Sequence, residues 1–190
     1  MFLKKKEKNT QNNNNFLKIL FKSKNFYGGY YKFIKKENLP FLYGIKNNKI
    51  IINLKYLNFF IKRTFNLLKL TLKKKKKILI IANSDDINFL INKNYKKKNP
   101  LIFFFNKKWI NGNITNKNIN FFVKKHKINL IIIYKISNIY FNKELFSLKI
   151  PIISFLNPTD NLNYINYPLI TNLKNIKSIY SLMFLYRKIF

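Results

Sequence analysis

Ile78-Leu79-Ile80-Ile81-Ala82 is an unbroken apolar run, and Leu130-Ile131-Ile132-Ile133-Tyr134 is another. A strand with one wet face alternates apolar and polar residues. These runs do not alternate, so both faces of each strand must be covered. Residues 101–105 (Leu-Ile-Phe-Phe-Phe) and 150–156 (Ile-Pro-Ile-Ile-Ser-Phe-Leu) read the same way, and Leu169-Ile170 makes a short last strand. Helical patterns lie between and around them. Leu54, Leu57, Ile61, Phe65, Leu68 and Leu72 recur in steps of three and four, the spacing of one face of a long amphipathic helix. Shorter helices are expected from about residue 87 to Lys93 and over residues 140–148. A C-terminal helix is expected to start at Asn172, with Ile176, Ile179, Tyr180 and Met183 on one face. Apolar strands alternating with helices predict an α/β fold: a mostly parallel sheet with helices on both faces, a three-layer arrangement of the flavodoxin or Rossmann kind.

An irregular basic N-terminal extension precedes that sheet. Residues 1–15 are rich in Lys and Asn and read as a disordered low-complexity arm, leaving residues 16–190 as a single domain. Residues 16–21 suit a short helix. Gly28-Gly29 marks a turn, Pro40 and Gly44 bracket an irregular segment, and residues 49–53 form a short β-like run. The arm lacks the apolar core of a secretory signal and is short for a cleaved transit peptide.

Charge narrows the partners. Thirty-eight Lys and Arg stand against six Asp and Glu, a net charge of +32. Such a surface repels itself unless a polyanion neutralises it, so nucleic acid or an anionic membrane surface is expected. No apolar run approaches the ~20 residues of a membrane span. The cations are nearly all lysine, with only Arg63 and Arg187 as arginine. Ala82 is the sole alanine, and there are four glycines. Lys, Asn, Ile, Phe and Tyr have A+T-rich codons, so extreme A+T bias in the coding DNA accounts for part of the lysine excess on solvated faces.

Catalytic chemistry finds few carriers. There is no cysteine, hence no thiol nucleophile or thiolate metal site. The turn after Ala82, where a phosphate-binding loop would sit, has no glycine and carries Asp85 and Asp86. They would repel phosphate and instead suit the first turn of a helix capped by Ser84. His126, the only histidine, lies between Lys125 and Lys127 and looks exposed, without an orienting acid. No catalytic residue, metal site, cofactor or small-molecule substrate is therefore expected, and by elimination the chain is a binding or structural protein.

One segment suits a polyanion better than the rest. Residues 106–117 follow an apolar strand with Lys107, Lys108, Trp109, Gly112, Asn116 and Lys117. Cations beside a flat indole fit a phosphate backbone and its exposed bases. The competing reading is that Trp109 plugs the sheet edge while the lysines face solvent.

This loop resembles the bacterial small-subunit ribosomal protein two family (uS-two), whose members carry Asn-His-Arg-Trp-Leu-Gly-Gly-Met-Leu-Thr-Asn after an aromatic strand end. Asn106, Trp109, Gly112, Thr115 and Asn116 match it identically. Lys108 replaces Arg, Ile110 replaces Leu, and Asn111 replaces the first Gly. Three further blocks are similar, in order: Gly28, Pro40-Phe41-Leu42-Tyr43-Gly44, Lys46-Asn47 and Ile51-Ile52-Asn53-Leu54; then Lys77-Ile78-Leu79-Ile80; then Ile150-Pro151-Ile152-Ile153, Tyr167-Pro168-Leu169, Asn172 and Ile176-Lys177-Ser178-Ile179. The departures are also specific. Phe26 and Gly29 stand where the family has histidines, Asn157-Pro158-Thr159-Asp160 is a weakened acidic turn, and the helical hairpin that follows the Trp loop in bacterial members is missing.

The resemblance implies a structural component of the small ribosomal subunit. It would bind rRNA near the head–body junction and contact neighbouring small-subunit proteins, with no membrane and no small-molecule substrate. On that reading Lys32, Lys35, Lys36, Lys46, Lys107, Lys108, Trp109, Asn116 and Lys117 are the expected rRNA-binding residues. The A+T signature points to an organelle ribosome, in a plastid of the apicoplast type or alternatively a mitochondrion. The competing class is a peripheral membrane protein that binds anionic lipid through its lysines.

Overall fold

A computed structural model describes residues 15–82, 87, 89–91, 99–105, 112, 118–135, 139–187 and 189. The chain opens with helix α1 (residues 15–22). A small antiparallel sheet follows, built from β1 (Tyr27–Tyr30), β2 (Leu42–Lys46) and β3 (Lys49–Ile52) in the order β1-β3-β2. The helix α2 (Leu54–Lys73) leads into the main sheet, made of β4 (Lys77–Ala82), β5 (Ile102–Phe105), β6 (Ile128–Tyr134), β7 (Ile152–Leu156) and β8 (Tyr167–Ile170). Every pairing in it is parallel, in the order β5-β4-β6-β7-β8. That is the flavodoxin-like order, in which the chain steps one way from β4 to β5 and then crosses back to β6. Helices α3 (Asn118–His126), α4 (Ile139–Phe146) and α5 (Ile176–Arg187) complete the fold, with a helical stretch at residues 87 and 89–91.

Alternating residues of each strand serve the two faces. Ile78, Ile80, Leu130, Ile132, Tyr134, Ile153 and Phe155 pack with Leu20 of α1, Leu57, Ile61 and Leu68 of α2, and Leu182, Met183, Leu185 and Tyr186 of α5. Leu79, Ile81, Ile131, Ile133, Ile152 and Leu156 pack with Val123 of α3 and Phe141 and Leu145 of α4. Both faces are dry, which is why the strands show no polar alternation.

Helix α2 starts where Asn53 accepts the Lys55 N–H at 3.0 Å and buries the expected stripe at Leu57, Ile61 and Leu68. It ends in a Schellman turn: Lys75 N–H bonds the Leu72 carbonyl at 2.9 Å, Lys76 N–H bonds the Thr71 carbonyl at 3.0 Å, and Lys75 sits at φ 52°.

Four expectations need correction. Gly28 and Gly29 lie inside strand β1 rather than in a turn, and at Gly28 the missing side chain permits close packing on Ile50 and Pro158. The segment between Pro40 and Gly44 is a 3-10 turn (Lys36–Phe41) running into strand β2. Helix α5 begins at Ile176, capped by Asn175, whose side chain accepts the Lys177 N–H at 3.0 Å; Asn172 instead stabilises the preceding loop. Its buried face holds Ile179 and Met183 with Ser178, Ser181, Leu182, Leu185 and Tyr186, while Ile176 and Tyr180 are exposed. His126 is half-buried, its ring 4.3 Å from that of Phe122 and 4.7 Å from that of Phe103, because the end of α3 turns it onto the edge strand β5. Of the expected arm at residues 1–15 only Asn15 is described, as the first residue of α1; residues 1–14 and the acidic turn at residues 83–86 lie outside the described residues.

Candidate nucleic-acid interface

The basic N-terminal segment is fastened to the carboxyl edge of the parallel sheet, the edge at which open α/β sheets bind ligands. Gly28 makes the closest approach. A β-carbon there would stand 2.8 Å from Cβ of Ile50 and 3.1 Å from Cγ of Pro158, in the loop after β7. Ten residues on, buried Asn38 donates from Nδ2 to the carbonyls of Pro158 at 2.7 Å and Asp160 at 2.8 Å. A second tie runs through Asn25, also buried. Its Nδ2 donates to Ser23 at 2.5 Å and Ser181 at 2.9 Å, and its Oδ1 accepts from the hydroxyls of Thr171 (2.7 Å) and Ser178. Asn25, bonded through both its amide nitrogen and its oxygen, fixes one geometry, since any slip strands several polar groups without water; Asn38 is held through its Nδ2 alone.

These ties place cations along one edge. Lys32 lies in a 3-10 turn (Tyr31–Phe33), Lys35 precedes the next 3-10 turn, and Lys36 opens it; all three are exposed. Lys46 ends β2 opposite Lys49 of β3, and both are exposed. The Tyr31 N–H bonds the Asn48 carbonyl at 3.0 Å, which holds the hairpin tip against the first turn. Among the described residues no lysine or arginine is buried. Charge reasoning along the sequence had not separated Lys24, Lys49 and Lys174 from the background. They converge around a groove of about 470 Å³ beside β1, together with Tyr27, Tyr30 and Gly29. The pairing Tyr30↔Lys49 that brings two of them together is a tertiary feature with no local mark in the sequence.

Lys107, Lys108, Trp109, Asn116 and Lys117 lie outside the described residues. Gly112, between them, is described. It sits at φ 88°, a left-handed conformation that glycine adopts without strain, and its N–H donates to Oε1 of Glu144 on α4 at 2.7 Å. Helix α4 in turn reaches the loop after β7, where Asn142 Nδ2 approaches the Asn161 carbonyl at 3.5 Å. Glu144, Asn142 and Asn38 thus link three segments: the one that carries the Trp loop, the β7 loop and the basic 3-10 turn.

Asp160 organises the β7 loop. Its carboxylate accepts the Asn157 N–H at 2.8 Å and the Thr159 hydroxyl at 3.4 Å. Burial pushes the carboxyl above its ordinary range; the hydrogen bonds and the charge of Lys135 pull it part of the way back. Among the described residues no group of three or more His, Cys, Asp or Glu could hold a metal ion, and no helix is long and apolar enough to cross a membrane.

Comparison with curated proteins finds no match. The family model of ribosomal protein S2 matches residues 20–129, more than half of the 190-residue chain. The match runs from α1 through the small sheet, α2, β4, β5 and the Trp109 segment into β6. It takes in Gly28, Gly44 and Gly112 and stops short of the similar block at residues 150–179. This chain belongs to the ribosomal protein S2 family, whose members are structural proteins of the small ribosomal subunit and not enzymes.

Proposed function

We propose that the chain binds small-subunit rRNA near the head–body junction of an organelle ribosome, contacts neighbouring small-subunit proteins there, and supports translation as a structural component. The organelle is a plastid of the apicoplast type, with a mitochondrion as the alternative; the A+T-biased composition supports this assignment. The rRNA contacts are Lys32, Lys35, Lys36 and Lys46, with Lys107, Lys108, Trp109, Asn116 and Lys117 in the second basic loop. The observation that carries the reading is the clamp of Gly28 and Asn38 on the β7 loop, which holds an exposed basic segment against the carboxyl edge of the sheet.

Gradient fractionation of the organelle tests it: the protein sediments with small subunits, and flotation with anionic vesicles instead would refute it. In solution, about six phosphate contacts give a slope of log K against log salt of about −4 to −5 on the cognate rRNA fragment, and a slope near zero contradicts the reading. Trp109→Ala is expected to impair incorporation into subunits more than Lys108→Ala. The indole supplies on the order of 1–3 kcal/mol of stacking or burial, whereas one lysine shares its role with its neighbours. The reverse order, with both variants folded by circular dichroism, would reduce the loop to an electrostatic patch.

A further inference from the structure

We propose that the groove beside β1 is a site for one unpaired nucleotide of an RNA strand, with Tyr30 stacking on the base and Lys24, Lys49 and Lys174 surrounding the phosphates. The inference rests on the rRNA-binding reading and adds to it a place and a type of contact. Its first support is convergence. The three lysines come from the turn after α1, the start of β3 and the loop before α5, yet all line the same groove, and no carboxylate is among its described lining residues. Three lysines lining one groove, with no carboxylate among its described lining residues, raise the local potential, which a phosphate relieves.

The second support is rigidity. Asn172 donates from Nδ2 to the Lys24 carbonyl at 3.2 Å and accepts the Lys174 N–H at 3.1 Å, so one side chain ties together the backbones that carry two of the cations. Lys49 is fixed by its register against Tyr30. Gly29 forms the floor: Nζ of Lys174 lies 3.4 Å from the point where a β-carbon would be. The third support is the aromatic wall. Tyr27 is braced by Phe26, with ring centroids 4.3 Å apart, while Tyr30 is 56% exposed and presents a ring to solvent. The groove's volume of about 470 Å³ suits one nucleotide, within the ~300–1,000 Å³ usual for small-ligand sites. A cationic groove with a stacking ring is the arrangement by which proteins hold single strands.

The test is fluorescence anisotropy of the full chain with a labelled single-stranded RNA of mixed sequence, over a range of potassium chloride concentrations. Tyr30→Ala is expected to weaken binding about 5- to 150-fold, and Tyr30→Phe to restore it. The double variant Lys49→Ala/Lys174→Ala alters only exposed side chains and keeps the fold; it should make the salt slope shallower by about 1.4. Adenosine monophosphate and inorganic phosphate are the competitors, and neither should displace the strand at concentrations where unlabelled strand does. If both variants bind the strand as wild type does while Lys35→Ala/Lys36→Ala binds weakly, the groove is not the site, and the rRNA-binding reading survives. Displacement by the mononucleotide as readily as by the strand would overturn the assignment to a polynucleotide. Failure of the wild-type chain to bind either this strand or its rRNA fragment would remove the groove and the reading beneath it together.

Discussion

Gly28→Ala should loosen the attachment of the whole basic segment, and the size of the effect follows from three distances. The added methyl would meet Ile50 at 2.8 Å (Cβ) and 3.1 Å (Cγ2) and Pro158 at 3.1 Å (Cγ). Comfortable carbon–carbon contact begins near ~3.5 Å, so β1 must move off by roughly 0.5–1 Å. Neither neighbour can yield instead. Ile50 is fully buried in the central strand of the small sheet. Pro158 is buried, and its carbonyl accepts Asn38 Nδ2 at 2.7 Å and the Lys35 N–H at 3.5 Å. Overpacking of this kind costs about 1–3 kcal/mol. Alanine's smaller unfolded-state entropy returns about 0.4–1 kcal/mol, leaving a net loss between ~0 and ~2.6 kcal/mol, with about 1–2 in the middle of that range. For a chain of this length that lowers Tm by roughly 2–8 °C. Gly44 is the control, since a β-carbon there meets nothing within 4 Å; Gly29 is intermediate, with its nearest contacts at 3.4 and 3.5 Å. Thermal unfolding of the three alanine variants should rank Gly28 lowest by a clear margin. Equal midpoints for Gly28→Ala and Gly44→Ala would show that β1 does not seat on the β7 loop as described.

Tyr186 is buried against Thr64, their hydroxyl oxygens 2.5 Å apart, and Thr64 keeps a second bond to the Ile61 carbonyl at 2.9 Å. Tyr186→Phe should therefore cost only about 0.5–1.5 kcal/mol in urea unfolding. Burial first of all raises the Tyr186 phenol well above its usual 10.0; its contribution is complete below that pH and is lost as pH rises through the folded value, so the variant should lose less stability in alkali than wild type. Asp160 is likewise raised above 3.8, mainly by burial. Its contribution is complete below 3.8 and fades as pH rises through the folded value, so unfolding midpoints of wild type and Asp160→Asn should diverge across that interval, and parallel curves would count against the burial. Lys75→Gly should stabilise by up to about 1.6 kcal/mol, because left-handed backbone costs an L-residue about 1–2 kcal/mol and glycine gives back about 0.4–1 through unfolded-state entropy; a loss of stability on calorimetry would contradict the Schellman geometry at that residue.

The parallel sheet was legible because its physics is local. Runs such as residues 78–82 and 130–134 announce two buried faces without any knowledge of neighbours, and the α2 stripe announces one. What could not be read depends on tertiary contact. Gly28-Gly29 has the composition of a turn; only the approach of Ile50 and Pro158 shows why glycine stands in a strand. The start of α5 was misplaced because Asn172 and Asn175 are equally good caps in sequence. The choice between them is made by Asn172 turning back to the Lys24 carbonyl. The groove of Lys24, Lys49 and Lys174 was invisible for the same reason: each lysine looks like every other in a chain that has so many. His126 is flanked by lysines in sequence, yet its ring packs on Phe103 and Phe122, a contact that only the fold supplies.

A strongly biased composition has been absorbed without loss of the fold, and the structure shows where it went. Lysine fills the surface, where the described residues include no buried example. Isoleucine fills the sheet, where a β-branched side chain suits a pleated, two-faced interior. Asparagine does work that serine, aspartate or glycine does elsewhere: Asn53 and Asn175 cap helices, and Asn99, Asn157, Asn161, Asn166 and Asn172 each accept a backbone N–H in loops. Two of the four glycines stand where space or backbone demands them, Gly28 and Gly112. Where only a left-handed turn was needed the chain tolerates Lys24, Lys75, Lys127, Lys135 and Lys149, each with positive φ. Strain of about 1 kcal/mol can be carried at several exposed turns, whereas a clash at Gly28 would displace a segment that joins exposed lysines to the sheet. That difference in consequence explains why glycine persists at that position in a sequence otherwise nearly emptied of it.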